Sequence, residues 1–401
     1  MSTILVTYEL GAGLGHLNRL VAVTRRLEGD HNWVFALPDR ALGEPIVRRA
    51  FGDKARVLEG VHWPAPKDPD VRKIPTHTFA DVIAIFGFHD AGRLSANTAH
   101  WHTILQEVIP QLIIADFAPT LRLAIGGKVP VVIVGNGYTV PPPGQLLPPI
   151  RQHETSVPAL SRVNEGRLLA AVNIVRARLR GEAIDFFSDL FSGENTFVCT
   201  LPEFDPYRRF RRGPTVWPFN IPDVPLGPPV NQRRGSPIFA YLPANHPALP
   251  PIISALNDLK LASQIYVSGM TAQALAKRCS ATVRIHTKPA DLAHVLPNTS
   301  LLIHHGGLGT AYAGLLAGVP QLVLPFNLEH SITAAGLEQF GVGKSRPARA
   351  AAGAPDMRDL ICSLLEDRIL QEAALKVARN LAARRVIDPI GEVVKACQQH
   401  L

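Results

Sequence analysis

Short runs of β-branched and aliphatic residues alternate with helical spacing along the chain. In the first half they fall at 3–8, 33–37, 112–115, 131–134 and 196–200; in the second they fall at 238–242, 264–268, 282–286, 301–304 and 321–324. Unbroken apolar runs suit parallel strands buried on both faces. Strand and helix in alternation predict a doubly wound α/β sheet, and two such sets predict two sheets. Between the sets, 202–237 is rich in proline and arginine and includes Pro218, Pro222, Pro225, Pro228 and Pro229. Proline continues neither a ladder nor a helix interior, so this segment reads as an extended connection. The expected division is a first domain over 1–220, a linker over 221–235 and a second domain over 236–380. A helix over 381–401 can pack back on the first domain.

With 401 residues, 46% hydrophobic and 18% charged, the chain can fill more than one core and is too apolar for disorder. Its net charge of +8 is mild for this length. The densest basic group, Arg208, Arg209, Arg211 and Arg212, lies in no recognisable nucleic-acid module. It reads as solvated surface, and no nucleic-acid partner is expected. The four cysteines are far apart, without a CxxC pair, and read as thiols of a cytoplasmic protein. No apolar stretch approaches the ~20 residues of a membrane span. The segment 167–180 mixes Leu168, Leu169, Val172 and Val175 with arginines, which leaves peripheral membrane contact open. Packing on its own domain is the plainer reading.

The sharpest chemical signal is His304-His305-Gly306-Gly307-Leu308-Gly309-Thr310, which follows a buried strand and opens a helix. Unpaired N–H groups at a helix start, with the positive end of the macrodipole, attract a phosphate. Glycines let the backbone approach the anion. Thr310 adds a hydroxyl, and His305 can donate a ring N–H to a phosphate oxygen. A second element, Pro325-Phe326-Asn327-Leu328-Glu329-His330, opens the next helix.

Residues 305–343 resemble the donor-binding signature of the UDP-glycosyltransferase superfamily, which includes the bacterial macrolide and glycopeptide glycosyltransferases. The family pattern H-G-G-x-G-T is met at His305, Gly306, Gly307, Gly309 and Thr310, and Gly318-Val319-Pro320 and Pro325 fall in register. The resemblance implies a GT-B fold, with two Rossmann-like domains facing a cleft. It also implies inverting transfer from a nucleotide-diphosphate sugar (UDP- or dTDP-linked) to a hydroxyl of a small-molecule or lipid-like acceptor. That sugar is a co-substrate; no cofactor and no metal are implied. Three positions depart from the pattern. Ala313 stands where many relatives carry a ribose-binding Glu. Glu329 and His330 replace the Asp-Gln pair that holds the sugar hydroxyls. Thr287-Lys288-Pro289-Ala290 replaces the Trp-x-Pro-Gln segment that packs on the base; Thr287 and Lys288 are retained as donor contacts.

Near the N-terminus, Gly11-Ala12-Gly13-Leu14-Gly15-His16-Leu17-Asn18 resembles the family's G-H-x-N motif. The resemblance makes His16 the general base, with Asp116 as the acid that orients it and Gly13 as a donor contact. A hydroxyl is a weak nucleophile until a base takes its proton, and imidazole suits that task near neutral pH. Gly11-x-Gly13 is weak evidence for a dinucleotide site, because the third glycine position is His16. Asp68-Pro69-Asp70 spells a D-x-D without a preceding strand and reads as chance. His89-Asp90 falls where relatives shape the acceptor pocket. Two other functions share the fold: an epimerase acting on the nucleotide sugar, and a catalytically silent nucleotide-sugar-binding protein.

Overall fold

A computed structural model describes the chain outside positions 12–13, 65–74, 194, 220, 222–223, 227–237, 349, 351–356 and 387. Two compact units emerge, Met1–Asn220 with Ile387–Leu401, and Ile221–Val386.

The first unit holds β1 (Ser2–Tyr8), β2 (His31–Leu37), β3 (Ala55–Glu59), β4 (Leu112–Asp116), β5 (Val131–Gly135) and β6 (Asn195–Val198). Their spatial order is β3-β2-β1-β4-β5-β6, and every pair is parallel. Every residue of β4 and β5 is buried, which is why these strands read as unbroken apolar runs. The strand order reverses between β1 and β4, and ligands of open α/β sheets bind beyond the strand ends at such a point. The register sets Tyr8 opposite Asp116 there. Helix Gly391–Gln398 closes the core of this unit with Val393 and Cys397.

Residues 202–219 pack into this unit instead of forming an extended connection. Asp205 and Tyr207 are fully buried, and Phe219 joins the core. Arg211 grips Asp205 with Nε and Nη2, at 2.5 and 3.1 Å, so this arginine is structural and not part of a solvated face. Most of the expected linker 221–235 lies outside the described residues. Helix Ala159–Arg178 buries Leu168, Val172 and Val175 against its own unit. Among the described residues, no helix is long and apolar enough to cross a membrane.

The second unit repeats the winding. It holds β7 (Ile238–Pro243), β8 (Ser263–Ser268), β9 (Val283–Ile285), β10 (Leu301–His304), β11 (Gln321–Val323) and β12 (Gly343–Ser345) in the order β12-β11-β10-β7-β8-β9, all parallel. Alternate strand residues enter two cores. Ile238, Ala240, Leu301 and Ile303 pack with helices Leu249–Leu259 and Met357–Glu366. Phe239 and Leu302 pack with Ala313 and Ala317 of helix Leu308–Ala317. The switch point lies between β7 and β10, so His304 and His305 emerge where a ligand is expected.

Candidate active site

In the first unit, helix Gly15–Thr24 starts just after β1 and turns His16 back over the strand ends. His16 Nδ1 lies 2.8 Å from Oδ2 of Asp116, whose side chain is fully buried. Burial pushes the Asp116 carboxyl up, but the charges of His16 and Arg19, with their hydrogen bonds, hold it below the ordinary carboxylate range. The ionised carboxylate therefore fixes the proton on Nδ1 and leaves Nε2 as the basic nitrogen. Tyr8 stacks on the imidazole at 5.6 Å, and Phe117 flanks it at 6.1 Å. Gly11 (φ +105°) leaves room for the ring, since a Cβ there would stand 2.2 Å from His16 Nε2. Gly13 lies outside the described residues, as do Asp68 and Asp70.

Sequence reasoning missed three groups around this base. Arg19 donates from Nη1 to the same Asp116 oxygen as His16. It stands one turn beyond His16 on one helix face, which is the signal that was available. Phe117 adopts a left-handed backbone (φ 46°), a conformation costing ~1–3 kcal/mol outside glycine. Its carbonyl accepts from both Glu9 and Leu10 N–H groups, which holds the turn after Asp116 in place. Glu9 is buried and accepts from the indoles of Trp63 and Trp101, from the Thr120 hydroxyl and from the amides of Thr120 and Leu121. Burial still keeps its carboxyl above the ordinary value.

In the second unit, His305 and Gly306 leave β10 and Gly307 caps helix Leu308–Ala317 without a side-chain bond. Gly309 is exposed and Thr310 half-buried in the first turn, where amides have no intrahelical acceptor. Gly306 has φ +104°, and a Cβ there would meet the Cβ and carbonyl oxygen of His330 at 2.9 Å. The turn after β10 therefore abuts helix Leu328–Gln339, whose first turn carries Glu329 and His330 and is capped by the Asn327 side chain.

The rings of His305 and His330 meet edge to face at 4.8 Å, with Phe326 4.8 Å from His330. Burial, with neighbouring imidazoles, lowers His305 to about 4 and His330 to about 3, so both are neutral near pH 7. Neither Nδ1 has a hydrogen-bond partner among the described residues. His304 is structural. Its Nδ1 accepts from the Gly306 amide, and Nε2 lies 2.9 Å from Gln321 Oε1, whose amide donates to the Ala311 carbonyl. Ala313 is fully buried against Phe239, Leu302 and Val319. Thr287 and Lys288 are exposed beyond β9, two strands further out than β7.

Residues 268–399 match the family model of the erythromycin biosynthesis protein CIII-like C-terminal domain. L-demethylnoviosyl transferase of Streptomyces niveus is 27% identical over 349 residues, covering 84% of this chain and 83% of that protein. Elloramycin glycosyltransferase ElmGT of Streptomyces olivaceus is 40% identical over 90 residues, 22% of each chain. Among solved structures, spinosyn rhamnosyltransferase SpnG aligns with a TM-score of 0.66 at 19% identity, covering 99% of both chains. Glycosyltransferase VinC in complex with dTDP aligns with a TM-score of 0.62 at 17% identity, covering 99% of this chain and all of that one.

The chain has the GT-B fold and is similar to glycosyltransferases over most of its length. The family match spans most of the unit that holds His305 and His330, including the strand–turn–helix they belong to. His89-Asp90 is in part structural: Asp90 caps helix Ala91–Val108 by accepting from Gly92 and Arg93. His89 itself lines a cavity of about 520 Å³ between helices Phe79–Ile85 and Ala159–Arg178, with Ala84, Ile85, Leu168 and Ile174.

Proposed function

We propose that this glycosyltransferase inverts the anomeric centre of a dTDP- or UDP-linked sugar in one displacement by an acceptor hydroxyl. The observation that carries the reading is the buried His16–Asp116 pair, 2.8 Å apart at the switch point of the first sheet. His16 Nε2 takes the hydroxyl proton as the bond to the anomeric carbon forms, and Asp116 stabilises the imidazolium. The diphosphate leaves against the amides opening helix Leu308–Ala317, with His305 as a neutral ring donor. Glu329 and His330 meet the sugar, and Thr287 and Lys288 the base. VinC was solved with dTDP, and a relative is named TDP-daunosamine transferase, which supports a thymidine nucleotide. SpnG was solved with its spinosyn aglycone, which supports a small organic acceptor. The apolar cavity beside helix Phe79–Ile85 suits such a body; Phe79 packs on Phe117, which flanks His16.

A thermal-shift screen across dTDP-, UDP- and GDP-sugars tests the donor, because a ligand that binds only the folded state raises the melting temperature. A dTDP- or UDP-sugar should stabilise the protein. His305→Ala should weaken nucleotide binding about tenfold or more, the effect of losing a hydrogen bond to a charged group (~1.5–3 kcal/mol). Unchanged affinity in this variant would move the diphosphate elsewhere. Metal independence is proposed from helix amides and His305 receiving the leaving charge. Turnover should therefore survive exhaustive chelation with EDTA, and a loss restored by a divalent cation would contradict it.

A further inference from the structure

Asp116 carries more than an orienting role for His16 requires. One oxygen, Oδ2, receives both His16 Nδ1 and Arg19 Nη1, and the other receives no hydrogen bond among the described residues. The carboxylate is fully buried, and the side chains of His16 and Arg19 are only 10% and 11% exposed. A charge in such a place is costly unless a counter-charge accompanies it. A neutral imidazole supplies none. Arginine does, because its guanidinium does not lose its proton in proteins.

We propose that Arg19 is a positioning residue of the base: its permanent cation neutralises Asp116 and so keeps His16 in the unprotonated state that accepts the substrate proton. The inference rests on His16 acting as the base. Without the cation, the counter-ion left to the buried carboxylate among the described residues is the His16 imidazolium, so the ring would hold its proton to higher pH. The direction follows from removing a like charge near His16 and leaving the opposite charge of Asp116 unshared. Among the described residues, the other groups facing the ring do not compete. Tyr8 stacks on it from β1, with its phenol pushed up to about 12; Cys199, near Arg19 and Asp116, is also pushed up to about 12. Both are uncharged at working pH. Phe117 and Gly11 carry no charge, and Asp39 acts on the Tyr8 side.

The test compares wild type, Arg19→Gln and Arg19→Lys in the full chain. Gln keeps a donor for Asp116 and removes the charge; Lys keeps the charge. The His16 ring is titrated by NMR, and kcat/KM is followed against pH. Arg19→Gln should raise the His16 midpoint by about 1 pH unit. The acid limb of kcat/KM should move up by the same amount, with turnover recovered on the alkaline side. Arg19→Lys should return both toward wild type. An unmoved NMR midpoint in Arg19→Gln overturns the proposal, since a packing role alone would lower the rate without moving the titration. A midpoint that moves while the rate profile stays fixed instead refutes His16 as the base and leaves the electrostatic hold of Arg19 standing. If Arg19→Gln does not fold, the Arg19→Gln/Asp116→Asn double variant decides. With no buried charge left to neutralise, it should fold, and its failure to do so would show that Arg19 serves packing alone.

Discussion

His16→Ala should lower sugar transfer by roughly 10²–10⁴-fold, the range lost with a positioned general base, and leave nucleotide binding intact. The two effects separate because of where the residues lie. His16 belongs to the unit Met1–Asn220, whereas His305, Gly306 and the helix proposed to receive the diphosphate belong to Ile221–Val386. Truncation to alanine should also leave the fold sound, since Arg19 still pairs with the buried Asp116 carboxylate. The nucleotide-induced rise in melting temperature should therefore match wild type while single-turnover rates collapse. Retained turnover would require another base. A lost thermal shift would mean that His16 contributes to holding the donor.

Gly306→Ala should remove donor binding with the sheet of its unit intact. Two costs fall on one atom. The backbone at φ +104° disfavours any side chain, and the added Cβ would sit 2.9 Å from the His330 carbonyl oxygen and Cβ. Backbone cannot swing aside as a flexible side chain can, so the turn after β10 must separate from helix Leu328–Gln339. Overpacking of this kind costs ~1–3 kcal/mol. That strain displaces the Gly306 amide from His304 and breaks the edge-to-face contact of His305 with His330. Calorimetric titration with dTDP should show affinity reduced by at least about tenfold, with circular dichroism unchanged. Wild-type affinity would place the diphosphate away from this turn.

The strands that sequence alone located most sharply are central ones such as β4, β5 and β10, whose residues are all buried. Each of the ten apolar runs overlaps an observed strand, and β10 matches its expected bounds. The two that escaped, β3 and β12, lie at sheet edges. Their residues are part buried and part exposed, and Gly343–Ser345 is short and polar, so no unbroken apolar run marks them. Proline content misled in 202–219, because Asp205, Tyr207 and Arg211 fasten that stretch through contacts that no local pattern encodes. The strand–turn–helix at 301–317 was legible because its residues are contiguous in the chain. The surroundings of the base were not, since Arg19 meets Asp116 across 97 residues and Glu9 meets Thr120 across 111. Ala313 shows a further limit. The resemblance sets it where many relatives carry a ribose-binding Glu, and only the structure shows that it packs on apolar side chains of its own unit.

The carboxylate of Glu9 binds both Trp63 and Trp101, and with Trp33 and Trp217 these are all the tryptophans in the chain. All four belong to the half that carries His16. Ultraviolet emission excited at the indole band is therefore a private signal of the unit that carries His16, to which the unit of His305 is dark. Unfolding followed by emission and by heat capacity need not coincide. Any brightening or quenching on adding dTDP would directly report how far occupancy of one half is felt in the other.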